Sequence, residues 1–302
     1  MTERFVLAVD FGGTKAGVAA MDAAGRMLAA ERLAMHPERG AEQALARTLD
    51  TARALVADAG ADRLAATGVA SPGIVHPDGV LLAPNVPGWS RLRLRERFES
   101  ALGVPALCAM DVKAAALAEA RWGRLRGVHT GIHLNLGTGI AVGVLVGGAV
   151  LTGAHGAAGE IGYNLVGAGE RVGPHAGHAP LEERVGGGGI GRRGRAHGGD
   201  GGAASVFALA ETDPAMRAFR DETLGELAVH VANTAILVDP ERITVGGGLA
   251  ESAHVVLPAL ARVLERAVPF PPELVLARFA QDGAQVGAAA LAWDALRSSS
   301  GG

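Results

Sequence analysis

A carboxylate followed by a glycine turn stands near the start of the chain. The motif comprises Asp10, Gly12, Gly13, Thr14 and Lys15, between apolar runs at 5–9 and 16–21. Two apolar runs separated by such a turn predict a β-hairpin, and glycine lets another group approach the main chain. Asp10 could hold Mg²⁺ through water, since Mg²⁺ prefers carboxylate, water and phosphate oxygens. Two interpretations follow: a hairpin that straddles nucleotide phosphates, or an ordinary hairpin with a tight turn.

Three further turns rich in glycine also follow apolar runs. They contain Ser71, Pro72 and Gly73; Gly137, Thr138 and Gly139; and Gly246, Gly247 and Gly248. Ligands of open α/β sheets bind beyond the carboxyl ends of the strands. We therefore expect these turns and the first one to converge on one cleft between two halves of the protein.

The elements that must position these turns alternate between strand and helix. After the two hairpin strands at 5–9 and 16–21, strands are predicted at 26–32, 64–70, 104–109, 131–136, 140–146, 149–151, 243–245 and 274–277. Helices are predicted at 42–60, 111–122, 214–238, 252–266 and 283–296. This alternation predicts α/β sheets with parallel strands at their centre. The pattern of strand, glycine turn and strand restarts at residue 131, which predicts a duplicated domain.

The same pattern suggests domain boundaries. We expect an N-terminal α/β domain over 1–115, completed by the C-terminal helix at 283–297, and a C-terminal α/β domain over 116–282. Residues 298–302 are expected to be a disordered tail. Residues 186–202 are dominated by glycine and arginine. They are expected to be a mobile loop, because so much glycine carries a high ordering entropy.

Composition excludes several classes of function. The 302 residues suffice for two domains, and the net charge of −3 offers no basic field for nucleic acid. The sequence contains no uninterrupted apolar run of about 18 residues, so no membrane span is predicted. The first residues also lack the cationic and apolar regions of a secretory signal. The single cysteine, Cys108, excludes an internal disulfide and a cysteine-cluster zinc site. We expect a soluble cytoplasmic protein with no nucleic-acid or membrane partner.

Taken together, the motifs resemble the ROK family (repressors, open reading frames and kinases). The matching segments are 10–15, 83–85, Asp111 at a helix start, 136–140, 159–162, 181–182 and 245–248. The resemblance covers nearly the whole chain and implies an α/β, two-domain, actin-like ATPase or sugar kinase (ribonuclease H-like) fold, duplicated. Repressors of the family carry an N-terminal helix-turn-helix, which does not fit before a first strand near residue 4. The kinase branch is therefore favoured.

The resemblance also implies roles for individual residues. Asp111 matches the catalytic base that takes the proton of the attacking sugar hydroxyl, although aspartate at a helix start is also a common N-cap. The positions that match sugar contacts are Gly73, Asn85, Met110, Asp111, Glu160, Tyr163 and Glu182. Asp10 and the glycine turns at 12–15, 137–139 and 246–248 match the nucleotide contacts. ATP, Mg²⁺ and a homodimer are implied with them.

The chain departs from the family pattern at several sites. Met110 and Lys113 stand where the family has asparagines, and Tyr163 replaces a histidine that serves both sugar and zinc. The three zinc cysteines align with Gly173, His175 and Pro180. Because all four zinc positions have changed together, we expect no structural zinc. His175 and His178 are interpreted as plain loop residues.

These changes predict a substrate other than plain glucose. The zinc-less pattern resembles small kinases of antibiotic pathways that phosphorylate amino sugars or cyclitols. Kanosamine (3-amino-3-deoxyglucose) is the leading candidate, because a ring ammonium would suit Glu160 and Glu182. Lys113 would oppose that ammonium if it pointed inward. A cyclitol or N-acylhexosamine kinase and a non-catalytic sugar sensor remain alternatives, and the presence of Asp111 favours an enzyme over a sensor.

Overall fold

The computed structural model describes residues 4–83, 88–167 and 177–299. The chain divides into two units, residues 1–122, 154–156 and 282–302 in the first and residues 123–153 and 157–281 in the second. The sequence boundary at 115 falls inside an unbroken helix that ends at Trp122. Across the described residues, no helix combines the length and the apolar character needed to cross a bilayer.

The described residues up to 122 form seven strands and three α-helices, all in the first unit. In chain order they are β1 (Phe5–Phe11), β2 (Lys15–Met21), β3 (Met27–Ala34), α1 (Ala41–Ala59), β4 (Leu64–Ser71), β5 (Ile74–His76), β6 (Gly79–Leu81), α2 (Leu94–Leu102), β7 (Ala106–Met110) and α3 (Asp111–Trp122). The main sheet has the order β3-β2-β1-β4-β7. Its first two pairings are antiparallel and its last two are parallel. The short strands β5 and β6 form a separate antiparallel hairpin.

The second unit repeats this arrangement. Its elements, followed by the last helix of the chain, are β8 (Gly131–Leu136), β9 (Ile140–Val146), β10 (Ala149–Val150), α4 (Pro180–Val185), α5 (Gly187–Gly194), α6 (Ala203–Leu209), α7 (Pro214–Val238), β11 (Arg242–Gly246), α8 (Ala253–Ala267), β12 (Glu273–Leu276) and α9 (Gly283–Ser299). The sheet order is β10-β9-β8-β11-β12. Strand directions match those of the first sheet, so the two sheets share one topology, as the predicted duplication requires.

Helix α9 covers one face of the first sheet. Phe5, Leu7 and Val9 of β1 belong to the core on the α1 side. Since side chains alternate along a strand, Asp10 faces the other side, where α9 packs. The approach is so close that a Cβ on Gly68 of β4 would overlap the carbonyl of Ala288 in α9. The helix continues to Ser299, beyond the point where a disordered tail was expected to begin.

The prediction of a mobile loop at 186–202 is wrong. The segment contains α5 and a further helical turn at 195–197. Its glycines serve close packing, because a Cβ on Gly191 would overlap the carbonyl oxygen of Gly201. The backbone N–H groups of Gly187 and Gly188 donate 2.9 Å hydrogen bonds to the carbonyls of residues 137 and 138. These contacts offset the ordering entropy on which the prediction was based.

Candidate functional site

Asp10 lies near the end of β1 in a row of paired residues. Gly17 of β2 pairs with Asp10 on one side and with Arg32 of β3 on the other. Because Gly17 has no side chain, the amide of Gln285 can lie directly over it on that face. Burial raises the pKa of Asp10 to about 7; the negative charge of Asp111 adds to this rise and Arg32 opposes it. Asp10 and Asp111 therefore lie within electrostatic reach of each other.

The turn after Asp10 exposes its main chain. The Gly12 N–H donates a 2.8 Å hydrogen bond to the Lys15 carbonyl. Gly13 has no left-handed backbone angle, and a Cβ added there would meet no described atom within 4 Å. Gly13, Thr14 and Lys15 are all exposed. The protein itself therefore does not require glycine at position 13, whereas a ligand that approaches this backbone closely would.

Asp111 opens α3 directly after β7 and is partly buried. Its Oδ1 accepts a 2.7 Å hydrogen bond from the N–H of Val112. The donor is the next residue in the chain, whereas an N-cap accepts from the second or third residue after it. The bond holds the carboxylate in place at the start of α3, as a positioned base requires. Met110, just before it, pairs with Ser71 of β4 and is buried, with 5% of its surface exposed.

A buried tryptophan supports the turn at 71–73. Trp89 donates from Nε1 to Ser71 Oγ at 2.9 Å, and its ring meets Phe11 edge-on with 5.0 Å between the centroids. Gly73 has a φ of 81°, and a Cβ there would lie 2.5 Å from the Leu81 carbonyl. Glycine at 73 is therefore explained by the approach of the β5–β6 hairpin. Asn85, a predicted sugar contact, lies outside the described residues.

Lys113 is buried in α3, with 7% of its surface exposed. Its ammonium donates a hydrogen bond to the main-chain carbonyl of Gly156 in the same unit. The sequence left open where the Lys113 ammonium points; in the structure it donates to the main chain of the 154–156 segment.

In the second unit, the three predicted sugar contacts Glu160, Tyr163 and Glu182 lie together. Burial raises the pKa of the Tyr163 hydroxyl, and the negative charges of Glu160 and Glu182 raise it further. Glu182 also accepts a hydrogen bond at Oε2 from the N–H of Ile140, at 3.2 Å. A Cβ on Gly139 would overlap that carboxylate, so Gly139 is needed to hold Glu182 against the turn at 137–139.

The turns at 137–139 and 246–248 are neighbours in the second unit. Gly247 has a φ of 87°, and a Cβ on it would lie 2.5 Å from the carbonyl carbon of Leu136 and 2.8 Å from Asn135 Oδ1. Gly248, like Gly13, has open space at its Cβ position among the described residues. Thr138 is exposed. Asn135, which the sequence analysis did not identify, thus lies beside the turn at 246–248.

Beneath these turns lies a buried histidine. His133 is 2% exposed, and its Nδ1 lies 3.0 Å from Thr244 Oγ1. Burial lowers its pKa to about 4, so the ring is neutral near neutral pH. A Cβ on Gly246 would lie 2.9 Å from His133 Cε1, which explains glycine at the end of β11.

The zinc positions are only partly described. Residues 173 and 175 fall outside the described ranges, while His178 Nδ1 lies 3.0 Å from Glu183 Oε1. That carboxylate also accepts from the N–H of Ala179 at 3.2 Å, so His178 takes part in the contacts that start α4. Within the described residues no group of three or more His, Cys, Asp or Glu side chains could hold a metal ion.

Sequence reasoning also missed Arg32 and Gln285. Arg32 lies two strands away from Asp10, and only the register of β2 and β3 brings it close. Gln285 lies over Gly17. It is the one amide in an alanine-rich and glycine-rich stretch, 283–292, and that contrast was a usable signal.

Comparison with known proteins gives consistent matches. A model of the ROK family matches residues 6–295. The N-acetylmannosamine kinase of Shigella flexneri is 32% identical over 301 residues, which cover 95% of this chain and 98% of that protein. The bifunctional enzyme NanE/NanK of Brucella melitensis is 33% identical over 220 residues, covering 72% of this chain but only 40% of that enzyme. The match thus spans about two fifths of that relative's length.

Among solved structures, a ROK family glucokinase from Streptomyces griseus in complex with glucose and AMPPNP superposes with a TM-score of 0.79. The two chains are 28% identical, with 96% of this chain and 99% of that chain covered. The fold class predicted from the sequence is confirmed.

Proposed function

Because the chain belongs to the ROK family, we propose that it is an ATP-dependent sugar kinase. It transfers the γ-phosphate of ATP to the 6-hydroxyl of a hexose or amino-hexose, with Asp111 as the general base. The observation that carries this proposal is the partly buried Asp111 carboxylate, held at the start of α3 within electrostatic reach of Asp10. A positioned base of this kind contributes roughly 10²–10⁴-fold to the rate.

The residues near Asp10 fit the implied cofactors. A carboxylate beside an exposed glycine turn supplies the oxygen and main-chain N–H groups that Mg²⁺ and phosphates prefer. We propose that Asp10 holds Mg²⁺ through water, and that the turns at 12–15, 137–139 and 246–248 bind the nucleotide. When bound, Mg²⁺ neutralises charge on the phosphates. A cytoplasmic location is part of the proposal, since ATP is the phosphate donor.

For the sugar, the leading candidate is kanosamine. Its ring ammonium would pair with Glu160 and Glu182, whose negative charges both act on the hydroxyl of Tyr163. An N-acylhexosamine is the second candidate, favoured by the similarity to N-acetylmannosamine kinase. A cyclitol kinase and a non-catalytic sugar sensor are further alternatives.

Sugar-dependent release of ADP tests the proposal. We would assay glucose, kanosamine, N-acetylmannosamine and a cyclitol with Mg·ATP, comparing the wild type with Asp111→Asn. Asp213→Asn is the matched control, because Asp213 also stands at a helix start and caps α7 through the N–H of Ala215 at 2.7 Å. Loss of turnover in Asp111→Asn alone supports the kinase. Sugar binding without turnover in the wild type supports the sensor, and the preferred substrate decides between the sugars.

We further propose a homodimer. Val229, Ile236 and Leu237 of α7 are 50%, 50% and 86% exposed, which is unusual for large apolar side chains on one helix. Light scattering of the wild type and of Leu237→Glu tests it, and a monomeric wild type would contradict it.

A further inference from the structure

One amide is buried in α9 without a partner. Gln285 is 4% exposed, and Val286 and Ala288 beside it are also buried. Its Nε2 has no hydrogen-bond partner among the described residues. An unpaired buried donor destabilises a protein. The position therefore imposes a cost on the fold that a small apolar side chain would avoid.

The amide lies over the residue that pairs with Asp10. A Cβ on Gly17 would be 2.9 Å from Gln285 Nε2 and 3.1 Å from Oε1, so the amide occupies the space above Gly17. Gly17 pairs directly with Asp10. Residues opposite each other in an antiparallel pair point to the same face, with Cβ positions about 4.5–5.5 Å apart. Gln285 and Asp10 thus share one face, and the missing side chain of Gly17 leaves them room to meet.

We propose that Gln285 is a positioning residue for Asp10, donating from Nε2 to the Asp10 carboxylate when that carboxylate binds the water of Mg²⁺. The inference rests on the proposed function. Carboxylates at metal sites are oriented by such outer hydrogen bonds. Mg²⁺ requires nearly ideal octahedral geometry, so a fixed carboxylate matters for its binding.

This role predicts opposite effects on stability and on metal binding. In Gln285→Leu the unpaired amide is gone, so the metal-free protein should melt about 2 °C or more higher. Its apparent affinity for Mg²⁺ in the presence of AMPPNP should fall about 10–100-fold, the usual loss for such outer partners. A residue with a merely structural role would instead lower the melting temperature and leave the Mg²⁺ dependence unchanged.

Thr67→Val is the matched control. Thr67 of β4 belongs to the same unit, is fully buried, and its Oγ1 also lacks a hydrogen-bond partner in the described structure. Removing that hydroxyl should raise the melting temperature in the same way, without changing Mg²⁺ binding. Comparing the two variants therefore separates two effects: the stability gained by removing an unpaired buried polar group, and the Mg²⁺ affinity lost by removing a contact to the metal site.

The experiment measures the melting temperature and AMPPNP affinity of the wild type, Gln285→Leu and Thr67→Val, each without Mg²⁺ and over a Mg²⁺ titration. A higher melting temperature together with a weakened Mg²⁺ effect, in Gln285→Leu alone, supports the inference. An unchanged Mg²⁺ titration, or a less stable metal-free variant, overturns it while the kinase proposal stands. A wild type that neither binds Mg·AMPPNP nor releases ADP overturns the proposed function and this inference together.

Discussion

The carboxylate of Glu182 fills the space that a side chain at Gly139 would need, and from there it accepts a hydrogen bond from the Ile140 N–H at 3.2 Å. The glycine of a proposed phosphate turn and an acid of the proposed sugar site are thus fitted to each other. A substitution at Gly139 should therefore alter the position of the Glu182 carboxylate, and a substitution at Glu182 should alter the turn at 137–139.

Gly139→Ala should therefore displace Glu182. We expect the free energy of unfolding to fall by about 1–3 kcal/mol from overpacking, and the KM for the sugar to rise. The test is a double-mutant cycle of Gly139→Ala and Glu182→Ala, with the free energy of unfolding of each protein measured by urea denaturation. Because the double variant removes the clash, its loss of stability should be smaller than the sum of the single losses. Simple additivity would show that the two residues do not interact.

Gly13→Ala should weaken nucleotide binding and leave the fold intact. Its Cβ would meet no described atom, so the free energy of unfolding should change by less than about 0.5 kcal/mol. The dissociation constant for AMPPNP should rise roughly tenfold, the cost of one lost or displaced main-chain hydrogen bond. Calorimetric titration measures it. Gly225→Ala is the control, since Gly225 of α7 has equally open space. If Gly13→Ala bound AMPPNP as tightly as Gly225→Ala, the main chain at Gly13 would not be a phosphate contact.

Lys113→Met should destabilise the first unit. The change leaves the Gly156 carbonyl without the ammonium that donates to it, at a cost of about 1–3 kcal/mol. Urea unfolding would show the loss, and limited proteolysis should cut faster near residue 156. Lys15, the only other lysine, is exposed. Lys15→Met should therefore keep the stability of the wild type. A Lys113→Met protein as stable as the wild type would mean that the Gly156 contact contributes nothing.

His133 should make the protein less stable in acid. Burial lowers its pKa from 6.5 to about 4, so between these values the unfolded chain binds the proton and the folded chain does not. The free energy of unfolding therefore falls as the pH drops from 6.5 to 4, by up to about 3 kcal/mol. His133→Gln should flatten this part of the stability curve. His155→Gln, at an exposed loop position, should leave it unchanged, and an unaltered slope in His133→Gln would contradict the assignment.

Local signals explain which elements could be predicted. Helix α7 has the predicted bounds because Asp213 caps it and Pro214 stands at its first position. Strands β8 and β9 match their apolar runs. Helix α5 has no such signal, since its glycines favour a helix only once they pack against the turn at 137–139. Asp10 and Asp111 stand in motifs that the sequence displays, whereas Gln285 meets Gly17 only through the packing of α9 on β2.

The position of α9 also bears on how the protein is made. Strands β1 and β4 are synthesised long before α9, which begins at Gly283. The face of the first sheet that carries Val6 and Ala8 is therefore exposed during most of translation. The first unit can close only after the second has been synthesised. Folding of the nascent chain is therefore not a simple progression from the N-terminal unit to the C-terminal one, and chaperones that shield apolar strands should bind it early.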